Sequence, residues 1–378
     1  MKRSICSLLA VLLLTLTACG GGKPVPANTN ADLHPEAASQ GRADMLETAD
    51  GVYSVWTNES GRRLIQMIYF CPAGESTFYP LCSKPDCRHD DENCNAYAGI
   101  AFGYCSGYLY TAVKNLPQQR YDVVRMNPDG TERTVVTRVP CPSDAGGVTA
   151  RFHGGKLYLA FLPNAARPLE EQIPRVVVVD LETLEQAEPF AELFTTGGDY
   201  ALFFECFNGD KAYISGAFRG EALDDGAESY PFIELDAAAG TYRRLFDLPN
   251  CVPWVEGDTC YYVEYGEKCV ERDLTTGEEQ TFDFPESGDG AWAIYDKDYV
   301  YLMGEEDADG ATTLYILTRD YELVDEIRLA NGESLNNVSS RRLLFANDSS
   351  VIPPYCAYLD KSQIGSGNLE LQPITVNG

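Results

Sequence analysis

The sequence predicts an all-β chain whose main domain is a β-propeller of about seven blades, with six or eight also fitting the weaker copies at its ends. Three observations predict it. The composition, with 23 Tyr, 16 Phe and 33 Gly, supplies side chains that suit pleated, half-buried surfaces and residues that suit the turns between them. A unit recurs along the chain: a Gly, Asp or Asn turn, a strand with Tyr near its centre, a loop, and a second strand ending in a polar turn. The copies follow one another at about 40 to 57 residues, close to the period of propeller blades. One four-stranded sheet leaves both faces wet, whereas a ring of such sheets covers each face with its neighbour. A pair of β-sandwiches is the competing fold. Strands alternating with amphipathic helices are disfavoured, because no long helical pattern occurs.

The chain opens on an export leader, residues 1–18. Lys2 and Arg3 give it positive charge, and Leu8–Leu16 gives it an apolar core about nine residues long. Roughly 20 apolar residues are needed to span a bilayer, so the core is too short to do so. It runs into Leu16-Thr17-Ala18-Cys19 and three glycines. This resembles the lipobox of bacterial lipoproteins. The resemblance implies cleavage before Cys19, lipid on its thiol, and a place on the outer face of the cytoplasmic membrane. An ordinary secretory leader with a chance cysteine is the alternative. Residues 19–49 then read as the lipidated cysteine and a flexible linker. The run Lys23–Asn30 is rich in Pro, Asn and small residues. Such a segment cannot bury enough surface to offset its ordering entropy, and it serves as a tether.

Residues 50–378 are assigned to the propeller. Its copies begin at Gly51-Val52-Tyr53, Gly107-Tyr108-Leu109-Tyr110, Gly155-Lys156-Leu157-Tyr158, Gly209-Asp210-Lys211-Ala212-Tyr213, Gly257-Asp258-Thr259-Cys260-Tyr261 and Lys297-Asp298-Tyr299-Val300-Tyr301. A degraded last copy is placed at Asn347–Ile352. Phe152–Gly155 and Asp298–Tyr301 read as inner strands.

An insert at 71–105 separates the first two copies. It holds Cys82, Cys87, His89 and Cys94 within 13 residues, with Cys71 and Cys105 nearby. Two chemistries fit. Cys82, Cys87, His89 and Cys94 would give the three thiolates and one imidazole of a tetrahedral zinc site. Alternatively, Cys71, Cys82, Cys87 and Cys94 would pair as disulfides that staple a polar loop, with Cys105 a further candidate. An exported location favours disulfides; anaerobic surroundings weaken that argument. Of the 13 cysteines, eleven remain once Cys6 and Cys19 are set aside, so an odd number faces the outside. Cys141, Cys206, Cys251, Cys260, Cys269 and Cys356 are scattered over the blades, and the strands carrying Cys260 and Cys269 are expected to be neighbours.

The Tyr-rich strands, the Asp-Leu-x-Thr-Gly turns such as Asp273-Leu274-Thr275-Thr276-Gly277, and the Cys-x4-Cys-x-His-x4-Cys insert resemble a group of TolB-like β-propeller lipoproteins from gut Firmicutes that carry a domain of unknown function. The resemblance implies a propeller and a surface location, and it implies no established activity.

The 29 Lys and Arg against 57 Asp and Glu leave a formal net charge of −28, or −30 once Lys2 and Arg3 depart with the leader. That field argues against nucleic acid and against lying flat on anionic lipid. Only three His exist. His34 lies in the linker, His89 in the insert, and His153 at a strand start where a structural role is expected. No nucleophile elbow, His-Glu-x-x-His or phosphate loop occurs. Glu305–Gly310 is read as a solvated acidic hairpin tip that falls short of a calcium loop. The favoured function is therefore a membrane-anchored binding or scaffolding module for an extracellular protein, peptide or glycan, with Trp254 and Trp292 as candidate contact residues or core. The rivals are a carbohydrate- or peptide-active envelope enzyme and an envelope sensor of redox state or metal.

Overall fold

The computed structural model describes residues 45–377, apart from 61–62, 165, 169–170, 172, 195–199, 219–228, 250, 265–267, 284–291 and 348–354. The leader, Cys19 and most of the linker therefore lie outside the described residues.

Seven antiparallel sheets follow one another along the chain. Blade 1 comprises β1 (Met45–Thr48), β2 (Gly51–Ser60), β3 (Arg63–Pro72) and β4 (Thr77–Pro80). Blade 2 comprises β5 (Ala101–Cys105), β6 (Tyr108–Asn115), β7 (Arg120–Met126) and β8 (Thr134–Pro140). Blade 3 comprises β9 (Ala145–His153), β10 (Lys156–Pro163), β11 (Arg175–Asp180) and β12 (Gln186–Ala187). Blade 4 comprises β13 (Tyr200–Asn208), β14 (Lys211–Phe218), β15 (Ser229–Asp236) and β16 (Thr241–Pro249). Blade 5 comprises β17 (Trp254–Glu256), β18 (Thr259–Glu264), β19 (Lys268–Asp273) and β20 (Glu279–Asp283). Blade 6 comprises β21 (Trp292–Tyr295), β22 (Tyr299–Glu306), β23 (Thr312–Thr318) and β24 (Leu323–Leu329). Blade 7 comprises β25 (Ser334–Val338), β26 (Arg342–Ala346), β27 (Ala357–Asp360) and β28 (Gln372–Pro373), and a last strand, β29 (Thr375–Val376), returns to blade 1. The first strand of each sheet is innermost: β5 lies against β9, β9 against β13, and β13 against β17.

The recurrent glycine turn is the hairpin between the first and second strands. Gly154 and Gly155 both take positive φ, as do Ser106 and Gly107. Two-residue hairpins need that backbone because its twist matches the strands on either side. The recurrent tyrosines lie on the second strands, and Tyr53, Tyr110, Tyr158, Tyr213, Tyr262 and Tyr301 are all buried. Their rings fill the blade junctions, and several hydroxyls find acceptors there. Tyr213 donates to Glu234 at 3.1 Å, Tyr262 to Glu279 at 3.2 Å and Tyr301 to Asp296 at 2.8 Å. The acidic residue closing the third strand has a local purpose. One carboxylate oxygen of Asp180 accepts the backbone N–H groups of Glu182 and Thr183, and Asp273 does the same for Thr275 and Thr276. Asp307 builds a like turn at the tip that follows β22, taking the N–H groups of Asp309 and Ala311. The acidic tip is thus held by its own backbone.

Among the described residues, six apolar clusters fill the junctions between consecutive blades. The largest joins blade 7, blade 1, the insert and blade 2, and so closes the ring. Tyr355 lies at its centre, accepting from Ser54 at 3.3 Å and Asn337 at 2.9 Å and standing edge-on to Trp56. Arg341 ties the rim to blade 1 through Glu47 at 2.7 Å. β29 pairs with β4 in parallel, so the C-terminal end adds a fifth strand to the first blade.

Three expectations are corrected. The propeller begins at β1, inside the stretch read as linker; four residues are too few to show a period. The seventh blade starts at Ser334, and its first turn, Ser339-Ser340-Arg341, carries neither Gly nor Asp, so the sequence pointed instead to Asn347–Ile352, of which 348–352 are not described. Asp298–Tyr301 leads into a second strand, whereas Phe152 and His153 do end an inner one. Cys260 and Cys269 sit on neighbouring strands as expected, but they point to opposite faces, toward the blade 4 and blade 6 sides respectively.

Candidate metal centre

The insert has a definite place in blade 1. β4 covers only one end of β3, pairing at Tyr69 and Phe70. Residues 96–98 cover the other end: Ile68 N–H donates to Ala96 O at 2.6 Å, Ala98 N–H to Gln66 O at 2.9 Å, and Met67 bridges Tyr97. The outer edge of blade 1 is therefore a split strand. Residues 81–95 are the excursion between its halves. Beyond it, Ile100 N–H donates to Ala112 O and the chain enters blade 2.

The excursion is folded around four side chains. One ligand atom each from Cys82, Cys87, His89 and Cys94 lies within 4.8 Å of all the others. Cys82, His89 and Cys94 are buried, and Cys87 is partly so. His89 Nδ1 is 3.4 Å from Cys94 Sγ. Local backbone brings them in. Asp86 and His89 both adopt left-handed φ, at 59° and 54°. That conformation is unfavourable for a residue with a Cβ and persists only where its surroundings fix it. Asp91 shapes the return by accepting from Asn93 N–H at 2.8 Å, and Lys84 Nζ donates to Asn93 O.

Backbone N–H groups surround the sulfurs. Ala96 N–H donates to Cys94 Sγ at 3.4 Å. Burial, the strongest influence, pushes the Cys82 thiol up, but the N–H groups of Lys84 and Asn95 and the neighbouring thiols Cys94 and Cys87 outweigh it, leaving Cys82 below an ordinary thiol. Cys94 goes the other way: burial raises it, and charge on Cys82 and Cys87 raises it further against the Ala96 N–H. Arg133, from the turn between β7 and β8, donates to Asn95 O at 2.8 Å and lies over the Tyr97 ring. Nothing in the spacing of the sequence pointed to Arg133, which is 38 residues from its partner.

Cys71 and Cys105 stand apart from the four. Cys71 is buried on β3, where its Sγ lies 3.3 Å from Glu75 O and 3.7 Å from the Arg342 guanidinium. Cys105 ends β5 beside Ser106. No disulfide joins any two of the eleven described cysteines. His153 Nε2 lies 2.8 Å from Gly209 O, and its ring stacks on Phe207, an inter-blade structural role. Trp254 is buried between blades 5 and 6, and Trp292 is partly buried.

The likeness to solved structures is one of fold. A chain from a study of two prolyl endopeptidases aligns with a TM-score of 0.55 and 14% identity over 90% of this chain and 51% of its own length. A puromycin hydrolase aligns at 0.55 and 15%, over 92% of this chain and 56% of its own. TolB from Acinetobacter baumannii aligns at 0.38 and 12%, over 75% and 64%. The chain thus spans about half the length of the two hydrolase chains. No family model matches the sequence, and no curated protein does.

Proposed function

We propose that this chain is a lipid-anchored binding module, held by Cys19 on the outer face of the cytoplasmic membrane and presenting its propeller to an extracellular protein, peptide or glycan. One observation carries the reading: the make-up of the seven innermost strands. They are dominated by small and aromatic residues, as in Ala101–Cys105, Ala145–His153 and Trp292–Tyr295. Among the described residues these strands hold three carboxylates, and each has a partner. Glu47 takes Arg341 and Ser340, Glu205 takes the Ser215 hydroxyl, and Glu256 faces Arg319 at 3.6 Å. Glycoside hydrolysis asks for two carboxyl groups facing one bond. Three acids on three blades, each engaged locally, tie strands together instead. Phe203, on the inner strand of blade 4, is 54% exposed. An exposed aromatic ring there offers apolar area to a sugar face or a peptide side chain.

Two measurements test this. Palmitate incorporation in cells should be lost in Cys19→Ala, with the protein released to the medium; unaltered incorporation rejects the anchor. The purified chain should give saturable binding on a peptide or glycan array that weakens about tenfold in Phe203→Ala, without turnover. Cleavage of a probe peptide or glycoside would replace this reading with the hydrolytic one that the hydrolase neighbours suggest.

A further inference from the structure

We infer that Cys82, Cys87, His89 and Cys94 bind one zinc ion, and that this ion clasps the insert across the junction of blades 1 and 2. The donor set is the first ground. Three thiolates and an imidazole suit a soft, tetrahedral site, and zinc is the divalent ion that such sets select. The distances are the second. Zn–S bonds near 2.3 Å and Zn–N bonds near 2.0–2.1 Å place tetrahedral ligand atoms roughly 3.5–3.8 Å apart. His89 Nδ1 and Cys94 Sγ are already 3.4 Å apart, and all four atoms fall within 4.8 Å. A small inward movement completes the tetrahedron.

The surroundings are the third ground. Ala96 N–H points at Cys94 Sγ. Hydrogen bonds of this kind orient metal-bound sulfur and disperse its charge. The left-handed backbone at Asp86 and His89 holds Cys87 and the imidazole toward the centre. A disulfide would use two of the three thiols and gives no account of a buried imidazole beside Cys94. Four protein ligands leave no open coordination position, so the site is structural, because catalytic zinc keeps one position for water or substrate. On binding, the thiols that are still protonated release their protons and the sulfur lone pairs go to zinc, with no change of oxidation state.

The position defines what the ion does. The cluster closes the loop between β4 and residues 96–98, the two halves of one strand edge. The turn between β7 and β8 packs against the same loop: a Cβ on Gly130 would stand 2.5 Å from Leu81 O, and Arg133 holds Asn95 O. Drawing the four ligands together therefore fixes both the outer edge of blade 1 and its contact with blade 2.

The test uses the full chain in mild detergent, purified under reductant and without chelator. Elemental analysis should find about one zinc per chain. Cobalt exchanged into the site should give the intense ultraviolet thiolate-to-cobalt absorption of a tetrahedral thiolate complex. Bound zinc should protect three thiols from alkylation, and chelator should expose them. Cys87→Ser should weaken cobalt binding at least a hundredfold, His89→Cys should keep it, and Cys141→Ser should leave it unchanged. No metal at purification or after reconstitution of the reduced wild-type chain would overturn the inference, as would a disulfide between Cys82 and Cys94 mapped in protein taken directly from cells. The wild-type readings stand even if Cys87→Ser fails to fold.

Discussion

At the scale of single residues, Glu205 is the exception among the inner-strand acids. It lies largely buried on β13 and accepts from Ser215. Burial raises its pKa, while the Ser215 hydroxyl and the nearby Arg151 charge lower it, and burial wins. A raised acid is destabilising when ionised. That penalty is full at neutral pH, shrinks as pH falls through the raised pKa, and vanishes below the unfolded value. Glu205→Gln should therefore leave the protein as stable as the parent at pH 7 or more so, by on the order of 1 kcal/mol. The difference should close or reverse near pH 4. Urea midpoints at the two pH values measure it; a variant weaker than the parent at pH 7 sinks the account. The hydrolytic reading makes a different forecast, loss of turnover in the same variant. Residue chemistry was only partly legible in the sequence. Thirteen residues sufficed to pick out the four side chains that the insert gathers, because Cys and His are rare and were close together. The sequence left both disulfides and metal open there, and an exported location favoured disulfides. The proposal for metal rests on the left-handed backbone at Asp86 and His89 and the inward N–H groups, which depend on how the loop folds.

At the scale of elements, the hairpin turns were legible and the ends of the ring were not. Gly154-Gly155 and Gly209-Asp210 announce themselves because a two-residue turn demands special backbone. The last blade uses Ser339-Ser340-Arg341, and its second strand, Arg342–Ala346, buries Leu and Phe where the other blades bury Tyr. No local signal marks β29 either, since two residues have no period and the pairing crosses almost the whole chain. Yet that strand seals the ring. Thr375 N–H donates to Ser76 O and Asn377 N–H to Phe78 O, each at 3.0 Å, and Ile374 is buried in the closing cluster. Removing residues 374–378 should cost about 2–4 kcal/mol, from lost backbone hydrogen bonds and the burial of one large apolar side chain. The same truncation should speed proteolysis of blade 1. Unchanged urea midpoints would mean that the apolar cluster alone holds the ends together. The tie between blades 6 and 7 is of another kind: Lys361, nearly buried, donates to Asp296 at 2.6 Å, and Tyr301 donates to the same carboxylate.

At the scale of the whole molecule, the ring has no independent part. Each blade covers its neighbour's face, and the largest apolar cluster runs from blade 7 through blade 1 and the insert into blade 2. Loosening any member exposes the faces of the blades beside it. The insert is the polar member of that cluster: its lining side chains include Cys82, Cys94, Ala96 and Ala98, which bury less apolar area than the Trp56, Tyr69 and Phe78 rings around them. If zinc clasps the insert, chelation should therefore act on the entire ring. Chelator with reductant should lower the melting midpoint by about 4–5 °C as one transition, the size expected for a loss near 3 kcal/mol in a domain of this length. Metal binding by unfolded cysteines would trim the shift. Scanning calorimetry with and without chelator, on the wild-type chain and on Cys87→Ser, measures it. The variant should match the chelated wild type and lose its response to chelator. Two separate transitions would show that the insert melts alone, and the ring would then owe its closure to Tyr355, Trp56 and β29 without help from the centre.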